Sequence, residues 1–323
     1  MKKTIAVIMG GYTSEFEISL KSGAVVTAHL DPDKYEVYPI VLTKNRWTYT
    51  TDHGAVYAIQ KENFSLELPH KKVLFDGVFN AIHGSPGEDG KIQAYLELLG
   101  IPQTACDFYQ AALTYNKRDL LSVLKPYGIA MAKSYYLNFG DPINKEAIIK
   151  KVGLPCFVKA NRSGSSYGIS KVYTSDQIEA ALEIAFKEDK EVIIESALVG
   201  REVSVGVIQY QGKTKVLPIT EILSENDFFD YQAKYEGKST EITPADLEPE
   251  LEDKIIAVAT FIYNTLNLKG FTRSEFILVN NVPHLLEVNT TPGMTQHSIL
   301  PQQAKEAGIS LPELFESALL AIL

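Results

Sequence analysis

The chain predicts an α/β fold that opens on a Rossmann-like parallel sheet, and three observations in its first hundred residues carry that reading. Ile5–Met9 is a continuous apolar run, the pattern of a strand buried on both faces. Gly10-Gly11 then turns the chain into a helix expected from about Ser14 to Leu30, with Ser14 as its N-cap. Val37–Leu42 and Gly77–Ile82 are further apolar strands, so the order is β-Gly-α-β. The G-x-G-x-x-G fingerprint is absent, which disfavours NAD and a dehydrogenase.

With 323 residues the chain is too long for one ordinary core, and two or three domains are expected. It is 45% hydrophobic and 22% charged, with a net charge of −9 and no basic cluster, which disfavours nucleic acid or an anionic membrane as partner. Cys106 and Cys156 lack metal-ligand spacing and imply no disulfide framework, so a reducing cytoplasm is the expected setting. The apolar run after Met1 is too short for a signal peptide and no cleavage site follows it. No run is long enough to span a bilayer.

His83-Gly-Ser-Pro-Gly-Glu-Asp-Gly90 follows a strand and precedes a helix at Lys91–Leu99, the place where α/β sheets bind ligands. His83 could equally bond a local carbonyl. Around residues 103–118 the chain leaves the first domain. A strand at Cys156-Phe-Val-Lys159 leads into Asn161-Arg-Ser-Gly-Ser-Ser-Tyr-Gly168, rich in the N–H and hydroxyl donors of a flap over polyphosphate. An ordinary hairpin turn fits that stretch too, and no Walker A pattern occurs. A helix at 176–187, capped by Ser175, precedes a strand at Val192–Ile194. Leu223–Tyr235 is aromatic and acidic without period, as expected of a loop that covers a site. Pro249–Leu268 reads as a helix, and Ser310-Leu-Pro-Glu313 as the capping box of the last one.

Near the C-terminus two apolar strands, 271–279 and 283–289, flank an Asn-Asn turn. A three-residue loop, 280–282, pairs Glu275 with Glu287 and Arg273 with Asn289, all on one face. Two opposed carboxylates repel, and three hard oxygen donors beside an Arg suit Mg²⁺ with phosphates better than zinc. An Arg–Glu cross-strand pair with a second, solvated Glu is the alternative.

Five motifs in order resemble the D-alanine–D-alanine ligases of the ATP-grasp superfamily across essentially the whole chain. They are Gly10-Gly11 with Ser14 to Ser19, His83-Gly with Gly87-Glu-Asp-Gly90, Lys159 with Arg162-Ser-Gly-Ser-Ser, Asp230-Tyr-Gln-Ala-Lys-Tyr235, and Glu287-Val-Asn-Thr-Thr-Pro-Gly-Met-Thr-Gln-His-Ser298. The resemblance implies a Rossmann-like N-terminal domain at 1–104 followed by a two-lobed ATP-grasp fold, its central lobe at 105–200 and its C-terminal lobe at 201–323. It implies a cytoplasmic homodimer that uses ATP to join two D-alanines for cell-wall precursors.

Position by position, Lys117, Lys159 and Lys234 are similar to the family's phosphate lysines, with Ser166 in the phosphate flap. Glu195 and Leu198 resemble the adenine contacts, and Glu202 the ribose contact. Glu275, Glu287 and Asn289 match the ligands of two Mg²⁺ (or Mn²⁺), and Arg273 and Gly293 the groups that stabilise the tetrahedral intermediate. The resemblance places Glu15 at the first D-alanine's ammonium, His83 at the substrate, and Ser298 at the second carboxylate. Glu15, Ser165 and Tyr235 match a hydrogen-bonded triad that ties the loop down. Glu275 stands where many relatives carry Asp, and Phe229 where Tyr is frequent. A D-alanine–D-lactate ligase is the alternative; Tyr235 after Lys234 favours the dipeptide maker. A non-catalytic nucleotide scaffold would be expected to have lost a metal ligand or a lysine, and none is lost.

Overall fold

The computed structural model describes residues 2–164, 167–224 and 239–323. The first sheet contains β1 (Lys3–Gly10), β2 (Tyr35–Leu42), β3 (Trp47–Thr50), β4 (Val56–Gln60), β5 (Ser65–Leu68), β6 (Lys71–Val73) and β7 (Gly77–Asn80), in the order β6-β5-β4-β3-β2-β1-β7. β1 pairs in parallel with β2 and β7, as the buried runs predict. The antiparallel extension β3–β6 was not anticipated: its strands are three to five residues long and carry no strong apolar run. Ala6 and Ile8 of β1 pack with Ile40, Trp47 and Phe64. The alternate residues Ile5, Val7 and Met9 pack with Phe271, Met294, Leu300 and Phe315, far along the chain. Strand alternation thus ties the first sheet to the C-terminal segment.

α1 (Phe16–His29) begins after Glu15, not at Ser14. Thr13 takes the first donors instead: its hydroxyl accepts the Glu15 N–H and its carbonyl the Phe16 N–H, at 3.4 and 3.3 Å. α2 (Lys91–Leu98), α3 (Phe108–Tyr115) and α4 (Lys117–Leu124) follow. The second sheet holds β8 (Ser134–Asn138), β9 (Cys156–Ala160), β10 (Ile169–Val172) and β11 (Glu191–Ser196) in the antiparallel order β10-β9-β11-β8. Its core packs against α5 (Lys145–Val152) and α6 (Ile178–Glu188) through Ile148, Val158, Ile178, Leu182 and Ile194. Ser175 does not cap α6; Thr174 and Gln177 form a capping box around a preceding 3₁₀ turn.

The third sheet comprises β12 (Arg201–Tyr210), β13 (Lys213–Val216), β14 (Thr220–Ser224), β15 (Ser239–Ile242), β16 (Thr272–Val279) and β17 (Val282–Asn289), in the order β15-β14-β12-β16-β17 with β13 also on β12. α7 (Pro249–Thr265) packs on it, joined in one core by Leu120, Leu121 and Leu124 of α4. α7 ends three residues early because Asn267 takes a left-handed φ of 51°. α8 (Ile299–Glu306) and α9 (Leu311–Leu320) close the chain, α9 behind the predicted Ser310/Glu313 capping box. Among the described residues no helix is long and apolar enough to cross a membrane.

The β16/β17 hairpin reaches its expected face by an unexpected route. Its turn has two residues, not three: Asn280 and Asn281 both take positive φ, 50° and 59°, the geometry of a tight type I′ turn. That turn pairs Phe276 with Leu285 and alone would set Glu275 against Leu286. A bulge intervenes, so Leu286 is left over and Glu275 meets Glu287, with Arg273 opposite Asn289. The shorter turn and the bulge offset each other by one residue.

Candidate active site

The strand ends, α1 and the β16/β17 hairpin enclose a cavity of about 290 Å³ lined by Glu15, His83, Arg273, Glu287, Asn289, Gly293 and Ser298. Seven residues singled out in the sequence therefore share one space. Glu275, 4% exposed, adjoins it from β16. Arg273 Nη1 hydrogen-bonds Glu275 and donates to Ser204 Oγ at 3.1 Å, and Ser204 is Glu275's partner on β12. The Asn289 amide lies 3.5 Å from Glu275 Oε1 and 3.4 Å from Glu287 Oε1. Lys117 Nζ, at the start of α4, pairs with Glu287 Oε2 at 3.0 Å and donates to the Ser163 carbonyl at 2.8 Å. Cations thus stand against both opposed carboxylates, which the repulsion argument requires.

Among the described residues no three His, Cys, Asp or Glu side chains close around a common point. The hairpin offers two carboxylates and one amide, a hard-oxygen set that leaves most of a cation's shell to water and phosphate. Mg²⁺ prefers that division, so the side chains fit it.

A second cluster lies where β11 passes into β12. Lys159 Nζ pairs with Glu195 Oε2 at 2.9 Å, and Ser134 Oγ reaches Glu195 Oε1 at 3.5 Å. Burial lowers the Lys159 ammonium, but Glu195 more than offsets it and holds the group above its ordinary value, with Glu287 and Glu202 adding to the effect. Leu198 and Glu202 follow Glu195 along this connection and are half-buried. Ser165, Ser166, Lys234, Tyr235 and Phe229 lie outside the described residues.

Glu15 is buried directly before α1, so close to Gly164 that a Cβ there would come within 2.5 Å of Glu15 Oε1. Ser298 precedes α8, its Oγ 2.8 Å from Thr295 Oγ1 and 2.7 Å from where a Gly293 Cβ would sit. Only glycine fits at either point without displacement. His83 is placed differently from a ligand contact. Its Nδ1 faces the Thr291 carbonyl at 2.9 Å and its Nε2 faces Ser22 Oγ at 2.9 Å, so both ring nitrogens already have protein partners. Burial lowers its pKa to about 4, so the ring is neutral at physiological pH.

Sequence reasoning gave Glu88 no role, although it lies in the Gly87-Glu-Asp-Gly90 motif. Its carboxylate is buried beside the cavity and accepts the Gly84 N–H at 2.7 Å. Burial, with the Glu15 carboxylate adding, pushes its pKa up to about 8. A raised folded-state value means that Glu88 stabilises fully below its unfolded value of 4.5 and progressively less as pH rises through about 8. Glu88→Gln removes that dependence. Urea midpoints at pH 5, 7 and 9 should show the variant gaining on the parent as pH rises; a pH-independent difference contradicts the assignment.

Two family models match the chain: the D-ala D-ala ligase N-terminus over residues 4–106 and the D-ala D-ala ligase C-terminus over residues 123–320. A D-alanine–D-alanine ligase of Flavobacterium johnsoniae is 60% identical over 317 residues, covering 98% of each chain. The structure of VanG, a D-Ala:D-Ser ligase from Enterococcus faecalis, superposes with a TM-score of 0.85 at 31% identity over 99% of each chain. The Bacillus anthracis D-alanine–D-alanine ligase complexed with ATP gives a TM-score of 0.79 at 29% identity, covering 98% of this chain and 96% of that one. The fold is that of these ligases, a Rossmann-like N-terminal sheet followed by a two-lobed ATP-grasp fold, and the chain belongs to the D-alanine–D-alanine ligase family.

Proposed function

We propose that the chain joins two D-alanines into D-alanyl-D-alanine for peptidoglycan precursors, with ATP converted to ADP and phosphate. The observation that carries this reading is one cavity in which a buried carboxylate (Glu15), a guanidinium (Arg273) and Glu287 converge, with Glu275 paired to Glu287 behind it. Joining a carboxylate to an amine in water is uphill, so the carboxylate is first activated. An oxygen of the first D-alanine's carboxylate bonds to the γ-phosphorus as the bond to ADP breaks. The amine of the second attacks the acyl carbon, loses a proton, and expels phosphate.

Glu15 holds the first ammonium, and Ser298 the second carboxylate. Arg273 and the Gly293 N–H serve the oxygen of the tetrahedral intermediate, where fixed donors are most effective. Glu195, Leu198 and Glu202 hold the nucleoside, and Lys117 and Lys159 the phosphates. The phosphate-binding roles of Ser166 and Lys234 and the triad roles of Ser165 and Tyr235, which the family resemblance gives, belong to the same proposal. Glu275, Glu287 and Asn289 hold two Mg²⁺ or Mn²⁺, which when bound offset the charge of the transferring phosphoryl group.

Cytoplasmic ATP and two buried free thiols, Cys106 and Cys156, suit this chemistry. A homodimer is the expected assembly, and the exposed Leu98, Phe108 and Tyr109 offer apolar surface for one. The VanG likeness raises the alternative that the second subsite takes another nucleophile.

Product analysis with ATP and Mg²⁺ separates the readings. D-alanine should give dipeptide, L-alanine none, and D-lactate plus D-alanine mainly dipeptide. Glu287→Gln should lower turnover about 10²-fold or more, the scale for removing a principal electrostatic group. Unchanged turnover at saturating Mg²⁺, or L-alanyl-L-alanine at a comparable rate, contradicts the assignment.

The Lys117–Glu287 pair yields a prediction that needs no turnover. An ammonium against Glu287 repels a divalent ion at the same carboxylate until phosphates draw it away; unit like charges 4 Å apart cost roughly 4 kcal/mol at an effective dielectric of 20. Lys117→Met should therefore tighten Mn²⁺ binding to the nucleotide-free protein at least about tenfold, roughly 1.4 kcal/mol. Free-Mn²⁺ resonance intensity in a titration reads this directly. Unchanged or weaker binding places the metal elsewhere.

A further inference from the structure

We infer that Ser22 is a positioning residue for the ligation: through His83 it latches the Thr291–Met294 turn, which carries Gly293, to the same helix that presents Glu15. The inference rests on the proposed roles of Glu15 and Gly293. His83 Nδ1 lies 2.9 Å from the Thr291 carbonyl, which can only accept, so Nδ1 carries the proton. Nε2 must then accept from the Ser22 hydroxyl, 2.9 Å away, and Ser22 Oγ in turn accepts the Met294 N–H at 3.3 Å. Ser22, His83, Thr291 and Met294 are all at most 5% exposed, so no water replaces a lost member. The ring's neutrality keeps Nε2 an acceptor.

Spacing gives the latch its consequence. Ser22 lies seven residues after Glu15, two helical turns on, and therefore on the same face of α1. Between them Ser19 pins the helix to the sheet, accepting the Gly10 N–H at 2.8 Å and donating to the Ala81 carbonyl at 2.7 Å. One rigid helix thus sets the distance from the ammonium anchor to the turn that receives the reacting carboxyl. Such spacing matters because small misplacements of a reacting group are costly in rate.

Ser22→Ala leaves His83 Nε2 and the Met294 N–H buried without partners. The expected result is kcat lowered at least tenfold and the KM for the first D-alanine raised, while the KM for ATP stays within twofold. Ser22→Thr, which keeps the hydroxyl, should recover most of the loss. A folded Ser22→Ala protein within twofold of the parent, or an equal loss in all three parameters, overturns the inference. So does a folded Ser22→Thr protein that fails as fully as the Ala variant. If Ser22→Ala does not fold, ¹⁵N spectra of the parent decide: a protonated Nδ1 and a bare Nε2 on His83 are expected, and the opposite tautomer overturns the latch. A parent that makes no dipeptide refutes the functional reading instead, and the spectra still test the latch.

Discussion

Two carboxylates facing each other across a β-ladder, Glu275 buried and Glu287 half-buried, are the constraint around which this molecule is arranged. Glu275 and Glu287 cannot share the β16/β17 face as bare anions, because like charges directly opposite destabilise a sheet. Arg273 on the same strand and Lys117 from α4 supply the opposing charge. Lys117 arrives there because Leu120, Leu121 and Leu124 bury α4 in the core of the third sheet. The charges needed at the site therefore follow from apolar packing some distance away. The pairing also suits an anionic ligand, since Lys117 can exchange its internal carboxylate for a phosphate.

The second constraint is registration between the N-terminal sheet and the C-terminal lobe. The face of β1 formed by Ile5, Val7 and Met9 shares a core with Phe271, Met294 and Phe315, so the two ends of the chain are held by common burial. Non-directional packing alone tolerates small slips. Directional bonds from the Ser22–His83 pair to Thr291 and Met294 fix what burial leaves loose, on a helix that Ser19 ties to the first sheet. The loop that carries His83 also buries Glu88, and that burial, with the Glu15 carboxylate adding, leads Glu88 to retain its proton.

Much of this was legible in the residues, for particular reasons. The parallel centre of the first sheet follows from Ile5–Met9, since only a strand buried on both faces is apolar throughout. The Glu275/Glu287 and Arg273/Asn289 pairs follow equally from a three-residue turn and from the observed two-residue one, because a bulge at Leu286 restores the register. Nothing in Leu285-Leu286-Glu287 announces that bulge, and a two-residue turn read alone would have turned the carboxylates to opposite faces. Strands β3–β6 escaped because short, half-exposed edges have little periodic signal. Ser22 escaped because a serine on a helix has no chemical signature until the fold brings His83 and Met294 to it. His83 was visible as a site residue, but its partners, 61 and 208 residues away, were not.

If the cavity activates a carboxylate by phosphorylation, that carboxylate loses one oxygen to phosphate in every turnover. D-alanine labelled with ¹⁸O in its carboxyl group, incubated with ATP and Mg²⁺, follows that atom directly. Mass spectrometry of the phosphate released should show one ¹⁸O per dipeptide formed. Phosphate without label, alongside dipeptide, would mean that the carboxylate never bonds to phosphorus and would contradict the acyl-phosphate account.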